Sequence, residues 1–388
     1  MKRILFVFHD SNINSGATKS LVDIIDKLNT LEKYEIYVTF PNDNGSAIKY
    51  FEEQNIKVFI YEYGGLFQSM DESIIKRILK YPEYVIKRIR LQSSVNKAFK
   101  DLKEYNFDLI YTNTITIKFG ALLARKLHSK SIWHIREFGL LDHNIKYFLG
   151  NTIMEKFINK NSDAVFCVSE AVKNYHAKYI DLKKMYVTYN SYPKSFAYER
   201  KKYNLSKKLD ILVSGDIKPG KAQFDVVKAV NNILKKYPNS VILHLAGKYS
   251  DAAYVNKIKS YIKKENIIDN VILYGQVDNM YVLRKNMDVG IVASKNEAFG
   301  RSTIEGMLSS MCMIGRNTGG TPEQIDDGVN GLLYDGTIAD LTNKIDYLYL
   351  NRDELVKMAK KSYTSSIKKY TNSYSAKVCE KIIDKVLF

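Results

Sequence analysis

The 388-residue chain predicts an α/β protein of two doubly wound domains, and three observations carry that reading. Short, continuously apolar runs alternate with helical periodicities almost throughout, as parallel strands buried on both faces alternate with their crossover helices. The alternation lapses once, over residues 190–206, and then restarts. The length suits two domains, and a chain that is 45% hydrophobic and 26% charged can bury a sizeable core without staples.

The elements follow in order. Ile4-Leu5-Phe6-Val7-Phe8 reads as the first strand. It is too short for a signal-peptide core, and no small-residue cleavage site follows it. A helix is expected from about Ala17, with Leu21, Ile24, Ile25 and Leu28 at helical spacing. Further strands of the first half are expected at 35–40, 58–61, 109–111, 131–135, 164–168 and 185–188. Pro193, Lys194, Arg200, Lys201 and Lys202 read as an exposed linker. Strands of the second half are expected at 211–213, 241–245, 271–274, 289–292, 313–314 and 331–334. Residues 374–388 read as a helix with Val378, Ile382, Ile383, Val386 and Leu387 on its apolar side. The expected layout is a Rossmann-like acceptor-binding domain over 1–190, a linker over 191–206, a Rossmann-like ligand-binding domain over 207–370, and a helix over 371–388 that returns to the first domain. Ligands of such sheets bind beyond the carboxyl ends of the strands, so a cleft between two facing sheets is the expected active site.

Charge and cysteine usage narrow the setting. The net charge of +17 points to anionic partners: nucleic acid, anionic lipid or phosphorylated small molecules. The 29 tyrosines offer stacking platforms, but they are scattered and no nucleic-acid recognition motif accompanies them, so no nucleic-acid partner is expected. Cys167, Cys312 and Cys379 are far apart and odd in number, which fits a reducing cytoplasm. Between Ser73 and Lys103, nine cations from Lys76 to Lys103 interleave with Ile74, Ile75, Ile78, Leu79, Val85, Ile86 and Ile89, with a break at Pro82. That pattern suits a helix lying on an anionic membrane surface, on the inner face of the cell membrane. It equally suits a helix packed on the sheet with a solvated basic side.

The segment richest in chemistry is Ala293-Ser294-Lys295-Asn296-Glu297-Ala298-Phe299-Gly300-Arg301-Ser302-Thr303-Ile304-Glu305. Two carboxylates, Glu297 and Glu305, are separated by seven residues. Gly300 permits a close backbone approach, and a helix is expected from about Ser302. The unpaired amides of a helix start suit a diphosphate, and carboxylates beside it suit sugar hydroxyls. Ser302-x-x-Glu305 also has the form of a capping box, in which Glu305 would serve only its own helix.

This stretch resembles the family 4 retaining glycosyltransferases of the GT-B fold. Ala293-Ser294, Glu297-Ala298-Phe299-Gly300 and Glu305-Gly306-Met307 match their E-x7-E pattern. Gly319-Gly320-Thr321-Pro322-Glu323 and Gly328-Val329-Asn330-Gly331-Leu332-Leu333 look like two further elements of that family. In the first, Thr321 is expected as an N-cap with Pro322 opening a helix. The resemblance implies that Glu305 holds ribose hydroxyls, that Glu297 bonds the transferred sugar, and that backbone amides of Phe299, Gly300 and Arg301 meet sugar and phosphate. It implies that Lys221, in Ser214-Gly215-Asp216-Ile217-Lys218-Pro219-Gly220-Lys221, neutralises the diphosphate. Asp216 stands where the family has an arginine, so the bidentate grip is lost; Arg301 is a candidate to replace that charge. Val277, after Tyr274-Gly275-Gln276, is the expected backbone contact to the nucleobase. In the first domain, Asn14-Ser15-Gly16-Ala17 takes the place of a glycine-rich loop, with Gly16 and Ala17 amides toward the phosphate, and His134 takes the place of a histidine that touches the donor sugar.

The resemblance thus implies a retaining hexosyltransferase that takes a nucleotide sugar, with UDP-sugars favoured, and passes it to a glycan or lipid-linked acceptor. No D-x-D occurs in the chain, and neither a metal nor a cofactor is expected. Lys221 and the helix start would stabilise the departing diphosphate instead. A sugar-nucleotide epimerase on the same double fold and a non-catalytic sugar-nucleotide sensor stay open as alternatives.

Overall fold

The computed structural model describes residues 1–70, 72–204, 208–371 and 374–388. The chain forms two compact units: Met1–Ser191 with Ser373–Phe388, and Tyr192–Asn372.

The first unit contains β1 (Lys2–Val7), β2 (Tyr34–Phe40), β3 (Lys57–Ile60), β4 (Phe67–Ser69), β5 (Leu109–Asn113), β6 (Lys130–Ile135), β7 (Ile145–Tyr147), β8 (Ala164–Cys167) and β9 (Met185–Val187). Seven of these form one parallel sheet in the order β3-β2-β1-β5-β6-β8-β9. The continuous apolar run of β1 has a physical cause: its side chains feed two cores. Ile4 and Phe6 join one, against Leu21, Ile24, Ile25 and Leu28 of the helix Gly16–Asn29 and Cys379, Ile382 and Ile383 of the helix Tyr374–Leu387. Leu5 and Val7 join the other, against Leu91, Val95 and Leu102 of the helix Tyr81–Leu102 and Phe119 and Leu123 of the helix Phe119–Leu127. β4 and β7 form an antiparallel ribbon that the sequence reading did not anticipate, because three-residue strands carry too little alternation to register.

The second unit contains β10 (Leu209–Ser214), β11 (Val241–Ala246), β12 (Val271–Gly275), β13 (Val289–Val292), β14 (Cys312–Arg316) and β15 (Gly331–Tyr334). They form a parallel sheet in the order β12-β11-β10-β13-β14-β15. The strand order reverses between β10 and β13, so the loops leaving these two strands diverge and open a crevice at their carboxyl ends.

Of the expected exposed linker, Pro193, Lys194, Lys201 and Lys202 are exposed, and only Arg200 is corrected. Arg200 is half-buried rather than solvated: Nη1 lies 3.0 Å from Asp288 Oδ1, with the two side chains 10% and 5% exposed. The Tyr198 and Arg200 amides donate to Leu308 O and Ser310 Oγ, at 2.8 and 3.0 Å. An isolated buried Asp288 would be costly, and Arg200 compensates it. Of the segments assigned above, Asp71, Leu205, Ser206, Lys207, Asn372 and Ser373 lie outside the described residues. Among the described residues no helix is long and apolar enough to cross a membrane.

Candidate active site

The crevice of the second unit is built from the loops after β10 and β13. Beyond β13, Ala293 and Ser294 remain buried, and Gly300 turns the chain at φ +92° into the helix Arg301–Met307. That helix starts one residue ahead of Ser302. Beyond β10 the chain closes a 3-10 turn, Pro219–Lys221, and passes through Ala222 at φ +54° into the helix Gln223–Lys236. The Lys295 amide donates to Gly220 O at 3.0 Å, which laces the two loops together. Lys221 Nζ and Glu297 Oε2 meet at 2.8 Å with side chains 30% and 17% exposed. The two groups implied for diphosphate and sugar are therefore neighbours, and each balances the other's charge. Lys221 precedes the helix rather than lying solvated within it.

The two glycines at 319–320 are required by the approach of one backbone to another. Gly319 sits at φ +57°, and a Cβ there would lie 2.3 Å from Glu297 O. A Cβ on Gly320 would lie 2.7 Å from Ala298 O, while the Gly320 amide donates to Glu297 O at 2.7 Å. The Gln324 side-chain amide donates to Phe299 O. The Glu297–Phe299 loop is thus fixed from behind by residues 319–324. Thr321 is not an N-cap: Gly320 holds that position, and Thr321–Glu323 is a 3-10 turn. The Thr321 methyl is instead buried against Gly315.

The capping-box alternative for Glu305 is overturned, since Gly300 is the N-cap and the Ser302 hydroxyl donates to Ser214 O at 3.3 Å. Glu305 Oε2 accepts from Arg284 Nη1 at 2.8 Å, and Oε1 lies 3.8 Å from Arg301 Nε. Arg284 is 3% exposed, and nothing in its local sequence marks it as a site residue. Arg301 is no plain surface cation: its guanidinium lies over the Tyr192 ring, 4.9 Å from the centroid. Asp216 is exposed, while its carbonyl accepts from the Gln223 side-chain amide at 2.9 Å. Gly247 packs against Gly215, where a Cβ would come within 1.9 Å of Gly215 O. Val277 is half-buried just beyond Gly275, whose carbonyl accepts from the Gly247 amide. The ends of β10, β11 and β12 thus present bare backbone around this spot.

In the first unit, Gly16 and Ala17 open their helix, with Ser15 at the N-cap position. The Ser15 hydroxyl does not cap; it donates to Asp10 Oδ2 at 2.7 Å, and Thr18 Oγ1 donates to Oδ1 at 2.9 Å. Burial works against the Asp10 charge, but hydrogen bonds and charge from His9, with the Ser15 and Asn12 donors, hold its pKa at about 2. An internal carboxylate therefore already faces this helix start. His134 is 1% exposed and bonded through Nδ1 to the Tyr111 hydroxyl at 2.6 Å. Burial, with the Arg136 charge, pushes its pKa well below the ordinary value, so it is neutral. His134, expected to touch the donor sugar, is thus a buried residue in this structure. Strand alternation at the end of β6 turns its ring into the sheet's core.

Comparisons with known proteins agree with this architecture. Residues 195–365 match the glycosyl transferases group 1, and residues 46–194 match glycosyltransferase family 4. An uncharacterized glycosyltransferase of Methanocaldococcus jannaschii is 27% identical over 333 residues, covering 82% of this chain and 87% of the relative. The N-acetyl-alpha-D-glucosaminyl L-malate synthase of Bacillus anthracis is 28% identical over 288 residues, covering 71% and 72%. Anabaena HepE, crystallised in complex with UDP, superposes with a TM-score of 0.78 at 17% identity, over 99% of this chain and 100% of that one. A glycosyltransferase from Rickettsia africae gives 0.77 at 18%, over 100% and 98%. The fold is that of the GT-B glycosyltransferases. The chain is similar to glycosyltransferases that join a family 4 segment to a group 1 segment, the two matches together spanning residues 46–365.

Proposed function

We propose that the protein moves a hexose from a UDP-sugar to a glycan or lipid-linked glycan acceptor, with retention, in the synthesis of bacterial cell-surface polysaccharide or glycoconjugate. The observation that carries this reading is the Lys221–Glu297 pair at the strand-order reversal of the second sheet. A diphosphate entering there offers Lys221 a stronger anion and releases Glu297 to accept hydroxyl protons from the sugar. Glu305, steadied by Arg284, takes the ribose hydroxyls. The amides of Phe299, Gly300 and Arg301 face sugar and phosphate, and the backbone at Val277 meets the base. The acceptor hydroxyl forms the new bond to the anomeric carbon on the side from which the diphosphate leaves. The carbon–oxygen bond to the diphosphate breaks, and a diphosphate oxygen takes the acceptor's proton, so no side chain serves as nucleophile. His134, enclosed against Tyr111, has no place in that step. The favoured nucleotide draws support from HepE, whose structures include complexes with UDP and with UDP-glucose. The protein works in the cytoplasm, as a peripheral protein on the inner face of the cell membrane.

A panel of UDP-, GDP- and dTDP-sugars, scored for thermal stabilisation and slow donor hydrolysis, names the donor without knowledge of the acceptor. Glu305→Ala is expected to weaken UDP binding roughly tenfold or more, the loss of a charged hydrogen-bonding partner. Glu297→Ala is expected to lower turnover more than affinity. Full activity in both variants defeats the assignment.

A further inference from the structure

The loop from Glu297 to Gly300 is constrained in the direction its peptides point as well as in its position. Among the described residues every peptide bond is trans, so each N–H points opposite to the carbonyl of the same peptide. Two carbonyls of this loop are held from one side. Glu297 O accepts from the Gly320 amide at 2.7 Å, and Phe299 O accepts from Gln324 Nε2. The N–H of the Phe299–Gly300 peptide therefore points away from residues 319–324, which back the loop. Gly300 is buried, and its amide has no partner among the described residues. A buried N–H without an acceptor is rare and costly. It could find one within the fold only by rotation of the whole peptide, and Gln324 opposes that rotation by holding Phe299 O. The φ of +92° at Gly300 lets the chain leave in this orientation.

Stability does not explain Gln324. Its side chain is 4% exposed, and its other terminal atom, Oε1, is buried without a partner. Thr303 Oγ1, also fully buried, is in the same condition. Both atoms converge on Gly300: a Cβ there would lie 2.9 Å from Gln324 Oε1 and 3.1 Å from Thr303 Oγ1. Exchanging Oε1 and Nε2 would bring no relief, because two oxygens would then face each other at Phe299. An apolar side chain of similar size at most exchanges one unpaired buried oxygen, Gln324 Oε1, for another, Phe299 O. The carboxamide thus adds little to the fold, while it does fix the polarity of one peptide. Unpaired buried polar groups gathered at one place are completed by a ligand, and the group offered here is a donor.

We infer that Gln324 is a positioning residue of the donor site: by holding Phe299 O, it presents the Gly300 amide to an oxygen of the β-phosphate or of the sugar it carries. The inference rests on the proposed nucleotide-sugar reading and adds the residue that sets the peptide beside Glu297. That peptide then has no need to turn when the ligand arrives, which is the advantage of a preorganised donor. The test is titration calorimetry of the full chain with UMP, UDP and UDP-glucose. Gln324→Leu is expected to weaken UDP-glucose about tenfold, with UMP affinity and melting temperature near those of the wild type. A loss already present with UDP assigns the amide to the β-phosphate, and a loss confined to UDP-glucose assigns it to the sugar. Gln324→Glu, close in shape, supplies a pH readout: its neutral carboxyl can donate to Phe299 O and its carboxylate cannot. Its UDP-glucose affinity is expected to recover toward wild type as the pH falls from about 8 to about 5. Each value is taken relative to wild type at the same pH, which cancels the titration of Glu297, Lys221 and the nucleotide. This variant carries the test alone should Gln324→Leu unfold. Wild-type affinities in Gln324→Leu, or an equal loss of all three ligands, overturn the inference. So does a Gln324→Glu protein whose deficit is the same at both pH values. A wild type that binds none of the three removes the donor reading itself, whereas a wild type that binds UDP beside either overturning result removes only the role of Gln324.

Discussion

At the end of β6, His134 has one ring nitrogen bonded to the Tyr111 hydroxyl and the other, Nε2, buried without a partner. Both features keep it neutral when folded. An unfolded histidine takes a proton below about pH 6.5, so unfolding gains a proton as the pH falls, and stability drops by up to about 1.4 kcal/mol per pH unit in that range. Nothing is lost above that pH, where both states are neutral. His134→Gln, which keeps a partner for Tyr111, is expected to flatten this acid limb in urea titrations at pH 5 to 7 (roughly the window around the free histidine pKa). An unchanged slope shows instead that folded His134 accepts a proton, as an accessible histidine would. The residue also shows where sequence reasoning stopped. Glu297, Lys221 and Glu305 drew notice because their motifs are local, and the structure places Lys221 against Glu297. Whether a histidine at a strand end opens outward or turns inward depends on the neighbours above it. Arg284 was illegible for the same reason: its partner Glu305 is 21 residues away, and its burial is set by packing against Phe196.

Element by element, the site depends on how closely loops pack. The 319–324 segment supports the Glu297 loop only because Gly319 and Gly320 lack side chains. Gly319→Ala meets both a left-handed φ and an overlap with the Glu297 carbonyl. It is expected to cost about 2–4 kcal/mol in chemical denaturation. Donor turnover should fall by more than the lost stability accounts for, because the Glu297 carboxylate is displaced. Wild-type turnover in a folded Gly319→Ala protein removes the supporting role of this segment. The strands were legible almost to the residue from apolar runs, since burial on both faces leaves that mark on a parallel strand. The capping box at Ser302 was misleading, because the same four residues suit a cap or a site and only the position of Gly300 decides. The basic segment 73–103 is divided in its burial. Its later part packs on the sheet, and its earlier part is exposed.

For the whole molecule, the chain ends return to their beginning. The helix Tyr374–Leu387 places Cys379, Ile382 and Ile383 in the core under β1, and Asp384 accepts from the Tyr34 hydroxyl at 2.6 Å. Deleting residues 374–388 uncovers that face. At about 1.5–3 kcal/mol for each large apolar side chain, the loss of Ile382 and Ile383 is about 3–6 kcal/mol, against a typical total of about 5–15. The truncated chain is expected to be largely insoluble or to melt well below the full chain by calorimetry. An unshifted transition shows that the helix contributes little. The amino-acid order by itself determined the alternation of strand and helix, the restart near residue 207, the glycine and acids of the 293–305 segment, and the amphipathic ends, all of them periodic or contiguous along the chain. Only the tertiary structure decided that Lys221 balances Glu297, that Arg284 steadies Glu305, that His134 is enclosed and that Arg200 pairs with Asp288. Coulomb energy and desolvation depend on distance through space, and residues 76 apart in sequence come within 2.8 Å only once the sheet has formed.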